Sequence, residues 1–207
     1  MMEFVSKIRS AQPAPPEGQL ELVRPPAPGD LELVRRFVNT YDLERGTDQL
    51  STPEALVAWL RDEGLIGRRS PFKATAKELE RVRSVRENLR ALARRNNGIA
   101  SDCAVEDLQA ASARSGYALA FDPAAGAARL RATAPGVDGV IGTILASVHS
   151  AMADRTWSRL KACADDTCAF AYYDHSKNGC SRWCSAETCG NRDKVKRYRE
   201  RRAQADA

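Results

Sequence analysis

The chain has 207 residues, 43% hydrophobic and 29% charged, an ordinary globular composition for one domain or one domain with a small module. Its formal charge of +5 is gathered at one end: between Cys189 and Arg202 seven basic residues face only Asp193 and Glu200, so the remainder is close to neutral. No stretch reads as a membrane span, and the opening MMEFVSKIRS lacks the apolar core of a secretory signal, so the expectation is a cytoplasmic protein with reduced thiols.

Six of the ten prolines fall within residues 1–29. Each removes a donor and fixes φ, so this segment reads as an extended arm with room for a short edge strand at Leu20–Val23. From residue 30 helical signals dominate. Asp30 is placed to cap a helix bearing Leu31, Val34, Phe37, Val38 and Tyr41 on one face. Thr52-Pro53-Glu54 opens a second, with Leu56, Trp59 and Leu60 as its buried stripe and Gly64 as its stop. Thr75 opens a long third helix carrying Leu79, Val82, Val85, Leu89 and Leu92 and ending near Asn96-Asn97-Gly98. Its other face holds Arg81, Arg83, Arg86, Arg90 and Arg94, read as a solvated face in preference to a second nucleic-acid surface.

A shorter helix is expected from about Asp102 to Arg114. The period then switches to two: Tyr117, Leu119 and Phe121 form one strand, residues 122–126 a turn, and Leu130 and Ala132 a return strand. After Pro135-Gly136 a last long helix is predicted, with apolar positions from Val137 to Leu160, running straight toward Cys163. The fold class is therefore mainly α with one β-hairpin (α+β). A helical domain spans 30–160, and a rigidly attached small module spans 161–202.

Five of the six cysteines lie in the last quarter. Cys163-x4-Cys168 and Cys184-x4-Cys189 are two short-spaced pairs fifteen residues apart. Each pair suits one knuckle around half of a tetrahedral ion, so Cys163, Cys168, Cys184 and Cys189 are read as ligands of one structural Zn²⁺. Cys180 is taken as a non-ligand, His149 as structural, and His175 as the weaker alternative donor. The second pair feeds a basic helix on which Arg192, Lys196 and Arg199 share one face and Lys194, Arg197 and Arg201 another. Arg182 suits either a phosphate contact or a hydrogen bond to the metal site.

Cys189-Gly190-Asn191-Arg192, preceded by Arg182-Trp183-Cys184-Ser185 and by Tyr173-Asp174-His175-Ser176-Lys177-Asn178, resembles the CGNR zinc finger. Upstream, Phe37-Val38-Asn39-Thr40 and the segment from Leu50 to Leu60 resemble the ABATE domain that accompanies it. The similarity implies a bacterial, stress-linked transcription regulator whose finger binds DNA and whose N-terminal domain senses a ligand.

The function expected is thus a zinc-dependent DNA-binding regulator. Arg192 and Lys196 are the leading contacts, with Lys194, Arg197, Arg199, Arg201 and Arg182 behind them. Asn39 and Thr40, polar within an apolar helix, are candidates for an effector pocket or for buried hydrogen-bonding groups. The sequence does not fix the oligomeric state; a homodimer is one candidate, with the exposed part of the helical domain as its contact. The competing reading is a zinc-scaffolded protein-interaction module. An enzyme is not expected, because four thiolates close the metal site and neither histidine sits in a motif.

Overall fold

Helix boundaries follow the caps. The structure, a computed structural model, describes residues 25–124 and 126–205, so most of the proline-rich arm and the strand expected at Leu20–Val23 lie outside the described residues. In α2 (Pro53–Asp62) Thr52 accepts a hydrogen bond from the Ala55 N–H, and Thr75 and Glu78 form a reciprocal capping box at the start of α3 (Ala76–Asn96). Both helices end at a left-handed glycine, Gly64 or Gly98. The chain then turns back so that Leu65 N–H donates to the Leu60 carbonyl and Ile99 N–H to that of Arg94.

Two elements depart from the sequence expectation. Helix α1 (Leu31–Val38) buries Leu31, Val34, Phe37 and Val38, but Asp30 makes no side-chain cap, and Tyr41 lies beyond the helix in β1 (Tyr41–Asp42), paired with β2 (Thr47–Asp48). Helix α5 (Gly136–Ala153) stops well before Leu160. There Arg155 takes the left-handed position (φ 59°) that glycine fills in α2 and α3, and Thr156 N–H donates to the Ala151 carbonyl at 2.8 Å. A 3₁₀ turn (Trp157–Arg159) then leads into β5 (Leu160–Ala162). With neither glycine nor proline at the stop, the break leaves no trace in the sequence.

Helix α5 also corrects the membrane reading. Its 18 residues, of mean hydropathy 1.2, are long and apolar enough to cross a membrane by length and composition, but half of them are buried in the protein. Val137, Val140, Ile141, Ile144 and Val148 join α1, α2 and α3 in one core. Helix α4 (Val105–Ser115) and the hairpin of β3 (Tyr117–Asp122) and β4 (Ala127–Ala132) attach at Gly142, where an added Cβ would lie 2.6 Å from those of Ala132 and Ser115.

The described residues are about half helical, with six α-helices and three two-stranded sheets. The third sheet pairs β5 with β6 (Ala171–Tyr173). Alternation makes it two-faced: Leu160, Ala171 and Tyr173 enter the helical core, while Tyr172 faces the cysteines. The zinc module therefore shares a core with the helices and is not tethered by a linker. The last element, α6 (Asn191–Ala205), has no buried residue.

Candidate metal centre and basic surface

The four cysteines predicted from spacing come together and are all buried, their sulfurs within 4.8 Å of one another. Two separations, Cys168–Cys184 and Cys184–Cys189, are 3.6 Å. A tetrahedral ion with Zn–S bonds of about 2.3 Å requires sulfurs roughly 3.8 Å apart, so the cage fits zinc. Local turns set it. In the first knuckle Asp165 accepts from the Thr167 N–H and hydroxyl, its carbonyl accepts from Cys168 and Ala169, and Cys163 N–H donates to Phe170. In the second, Ser185 caps the turn 186–190, its hydroxyl accepting from Thr188 N–H and its carbonyl from Gly190 N–H. Trp183 and Phe170 pack over the sulfurs, and a Cβ at Gly190 would come within 3.1 Å of the Trp183 ring.

Four thiolates packed this closely repel one another unless a cation joins them. Sharing with Cys168 and Cys184 pulls Cys163 far down, to about 2. The neighbouring Cys163 sulfur, together with burial, pushes Cys168 and Cys184 well above the usual thiol range. One divalent ion relieves that repulsion and leaves a formal charge of −2. Three donors offset it: Cys184 N–H to the Cys163 Sγ at 3.5 Å, and the Arg192 guanidinium and the Thr188 hydroxyl to the Cys189 Sγ at 3.0 and 4.0 Å.

Cys180 and His175 lie outside the ligand set. Cys180 is exposed, and His175 stacks edge-on to Tyr173 with its Nε2 3.2 Å from the Pro25 and Pro26 carbonyls. His149 is exposed on α5. Tyr172 and Tyr173 are buried and so cannot stack on nucleic-acid bases.

The arginine face of α3 is the main correction to the sequence reading. It is neither solvated nor open to nucleic acid: Arg86 is 4% and Arg90 5% exposed. Arg86 holds both oxygens of Asp48, at 2.7 and 3.0 Å, and reaches the Thr40 hydroxyl. Arg90 donates to the carbonyls of Val38, Tyr41 and Ala169 and to Glu87. Arg83 donates to the Leu50 and Ser51 carbonyls, Arg94 pairs with Asp166, and Arg81 with Asp138. Helix α3 is thus the spine that binds the 38–51 segment and the first knuckle together. Two residues that sequence reading had used only to mark a helix end complete it. Asn97 donates to the Ala162 and Arg182 carbonyls, one beside each knuckle, and Asn96 to those of Trp157 and Leu160.

The two pocket candidates are also spent on structure. Asn39 exchanges a pair of 2.8 Å hydrogen bonds with the backbone of Ala171, and the Thr40 hydroxyl donates to Phe37. Behind the finger, buried Lys161 binds Asp174 and the carbonyls of Gly179 and Ser181. Burial alone would raise the Asp174 carboxyl, but hydrogen bonds from Ser176 and Lys161 hold it well below the usual range.

Arg192 is not free for a distant partner. It pairs with Glu44 at 2.5 Å and Asp165 at 2.9 Å besides Cys189, and the Glu44 and Cys189 contacts raise its already high pKa. The other basic residues of α6 are exposed. Lys194, Arg197 and Arg201 meet Arg182 and Asp193 around Trp183 and Gly190 in an open concavity of about 410 Å³, with the Arg182 guanidinium over the Trp183 ring. Lys196 and Arg199 lie on other faces of the same helix.

Residues 31–167 match the ABATE family, described as "Putative stress-induced transcription regulator", and residues 159–202 match the CGNR zinc finger. The chain belongs to the ABATE family. It carries the CGNR finger at its C-terminal end. The overlap of the two matches falls on β5 and the first knuckle, where the structure also merges the two cores. Comparison with curated proteins gives no match.

Proposed function

We propose that this ABATE protein is a zinc-dependent transcription regulator that binds DNA through the concave basic surface of its finger. The observation that carries the reading is the convergence of Arg182, Lys194, Arg197 and Arg201 on one face beside the metal cage. Four cations against the single Asp193 give a local field suited to a phosphate backbone, and the exposed helix α6 presents side chains on a scale that a major groove admits. In this reading the helical part, 30–160, holds the finger, 161–202, as a fixed attachment. Lys196 and Arg199 are secondary contacts, and Arg192 positions the helix.

The test is selection of genomic fragments by the zinc-loaded protein, repeated with a Lys194→Ala/Arg197→Ala/Arg201→Ala variant. An enriched sequence that the variant loses supports specific DNA readout. Recovery of random fragments alone, with the variant behaving alike, would overturn it in favour of a protein-interaction module.

A further inference from the structure

We propose that strand β3 is a self-association edge, through which two copies of this chain pair strand to strand into one four-stranded antiparallel sheet. The β3–β4 hairpin stands out from the body. Its base packs on α5 at Gly142, but beyond that β3 leans on β4 and on little else. Tyr117, Leu119 and Phe121 share one face with their cross-strand partners Ala132, Leu130 and Ala128. Leu119 is nevertheless 61% and Phe121 75% exposed, the two largest values among the exposed large hydrophobics of the described residues. A two-stranded sheet is marginal in water unless a helix or further strands support it; here α5 supports the β4 side, and β3 is the side with no such support.

The charge pattern distinguishes the two open edges. Strand β4 carries Arg129 and Arg131, and either register that keeps paired side chains on one face and pairs five of its six residues with its own copy sets arginine opposite arginine. Strand β3 carries no cation. Laid antiparallel on its copy, it brings Leu119 opposite Phe121 or Leu119 of the second molecule. Asp122 falls opposite Ala118 or past the strand end, so like charges never meet. The contact is self-complementary about a two-fold axis and closes on itself, which removes the open edge instead of propagating it.

Size sets the strength. Each copy contributes the six residues of β3. At an interface density of roughly 30 Å² per residue they bury about 200 Å² per copy, or about 400 Å² in all, which is small and sets a weak, concentration-dependent association.

Sedimentation equilibrium of the full, zinc-loaded chain over a wide concentration range tests this. The expected result is a monomer–dimer equilibrium that Phe121→Lys or Leu119→Lys weakens at least tenfold, while Arg129→Ala/Arg131→Ala does not weaken it. Both lysine sites are exposed, so the fold is not at stake. Hydrogen exchange of the unsubstituted protein gives a second reading, in which the β3 amides gain protection as concentration rises. A monomer at every concentration overturns the proposal. So does a dimer indifferent to both lysines whose β3 amides exchange at a concentration-independent rate.

Discussion

Arg192, three residues beyond the last zinc ligand, reaches across to Glu44 in the turn between β1 and β2, its two terminal nitrogens 2.5 and 3.2 Å from the two carboxylate oxygens. The same guanidinium holds Asp165 of the first knuckle and the sulfur of Cys189. One side chain therefore ties the start of α6 to the metal cage and to the helical domain at once. Glu44 and Arg192 are each close to half exposed, so the pair contributes little to global stability, about 1 kcal/mol or less. Its consequence is orientation, because among the described residues α6 has no buried anchor of its own.

A positioning residue and a phosphate contact differ in salt dependence. Each phosphate neutralised adds about 0.9 to the slope of log K against log salt. Single Lys194→Ala, Arg197→Ala and Arg201→Ala variants are expected to lower that slope by about one apiece. Under the DNA-binding function proposed above, Arg192→Ala and Glu44→Gln are expected to weaken binding several-fold with the slope unchanged. Titrations of a duplex at several salt concentrations decide it, and a drop of about one for Arg192→Ala would show that it reaches a phosphate itself.

Metal removal should not be a local event. Apparent binding energies for structural zinc run to roughly 10–16 kcal/mol at neutral pH. Here the β5–β6 hairpin contributes Leu160, Ala171 and Tyr173 to the helical core. Chelation, or Cys184→Ser, is thus expected to lower the unfolding temperature of the whole chain and not merely to erase a minor transition. Calorimetry with and without a chelator reads this directly. An unchanged main transition would show that the finger unfolds independently.

Arg90 offers a sharper probe of the spine. Its guanidinium serves three carbonyls on two segments, Val38 and Tyr41 on one side and Ala169 in the first knuckle on the other. Lysine keeps the charge but has neither the planar fork nor the reach to serve all three. Arg90→Lys should cost about 2–3 kcal/mol, since it leaves buried carbonyls unpaired, and it should loosen zinc as well. Denaturation midpoints together with a competitive zinc titration measure both effects. A stability loss with zinc affinity intact would confine Arg90 to the helical domain.

What the sequence disclosed and what it hid divide along physical lines. Caps, glycine stops and paired cysteines are local signals, and Thr52, Thr75, Gly64, Gly98 and the four ligands behave as their neighbours in the chain predict. The stop at Arg155 was invisible because the left-handed turn there uses no glycine. The arginines of α3 were misread because their acceptors are backbone carbonyls, which leave no mark in a sequence, and carboxylates up to 72 residues away. Asn97, whose two acceptors lie 65 and 85 residues downstream, escaped for the same reason.

The ion pair of Arg86 with Asp48 gives stability a defined pH dependence. Burial by itself would raise the Asp48 carboxyl, but the Arg86 hydrogen bonds and the charges of Arg86 and Arg83 hold it below its ordinary 3.8. A carboxyl depressed in the folded state stabilises the protein above its unfolded pKa, and that contribution is lost as pH falls through the folded value. Asp48→Ala also takes one of two carboxylates from a nearly buried guanidinium, which keeps Glu87 at 2.7 Å, a loss of about 1–3 kcal/mol at neutral pH. The difference in unfolding free energy between the unsubstituted protein and Asp48→Asn should accordingly be constant from neutral pH down to near 4 and shrink below it. Urea titrations of both proteins across that range provide the measurement, and a gap that narrows at neutral pH instead would mean that Asp48 is not the group being titrated.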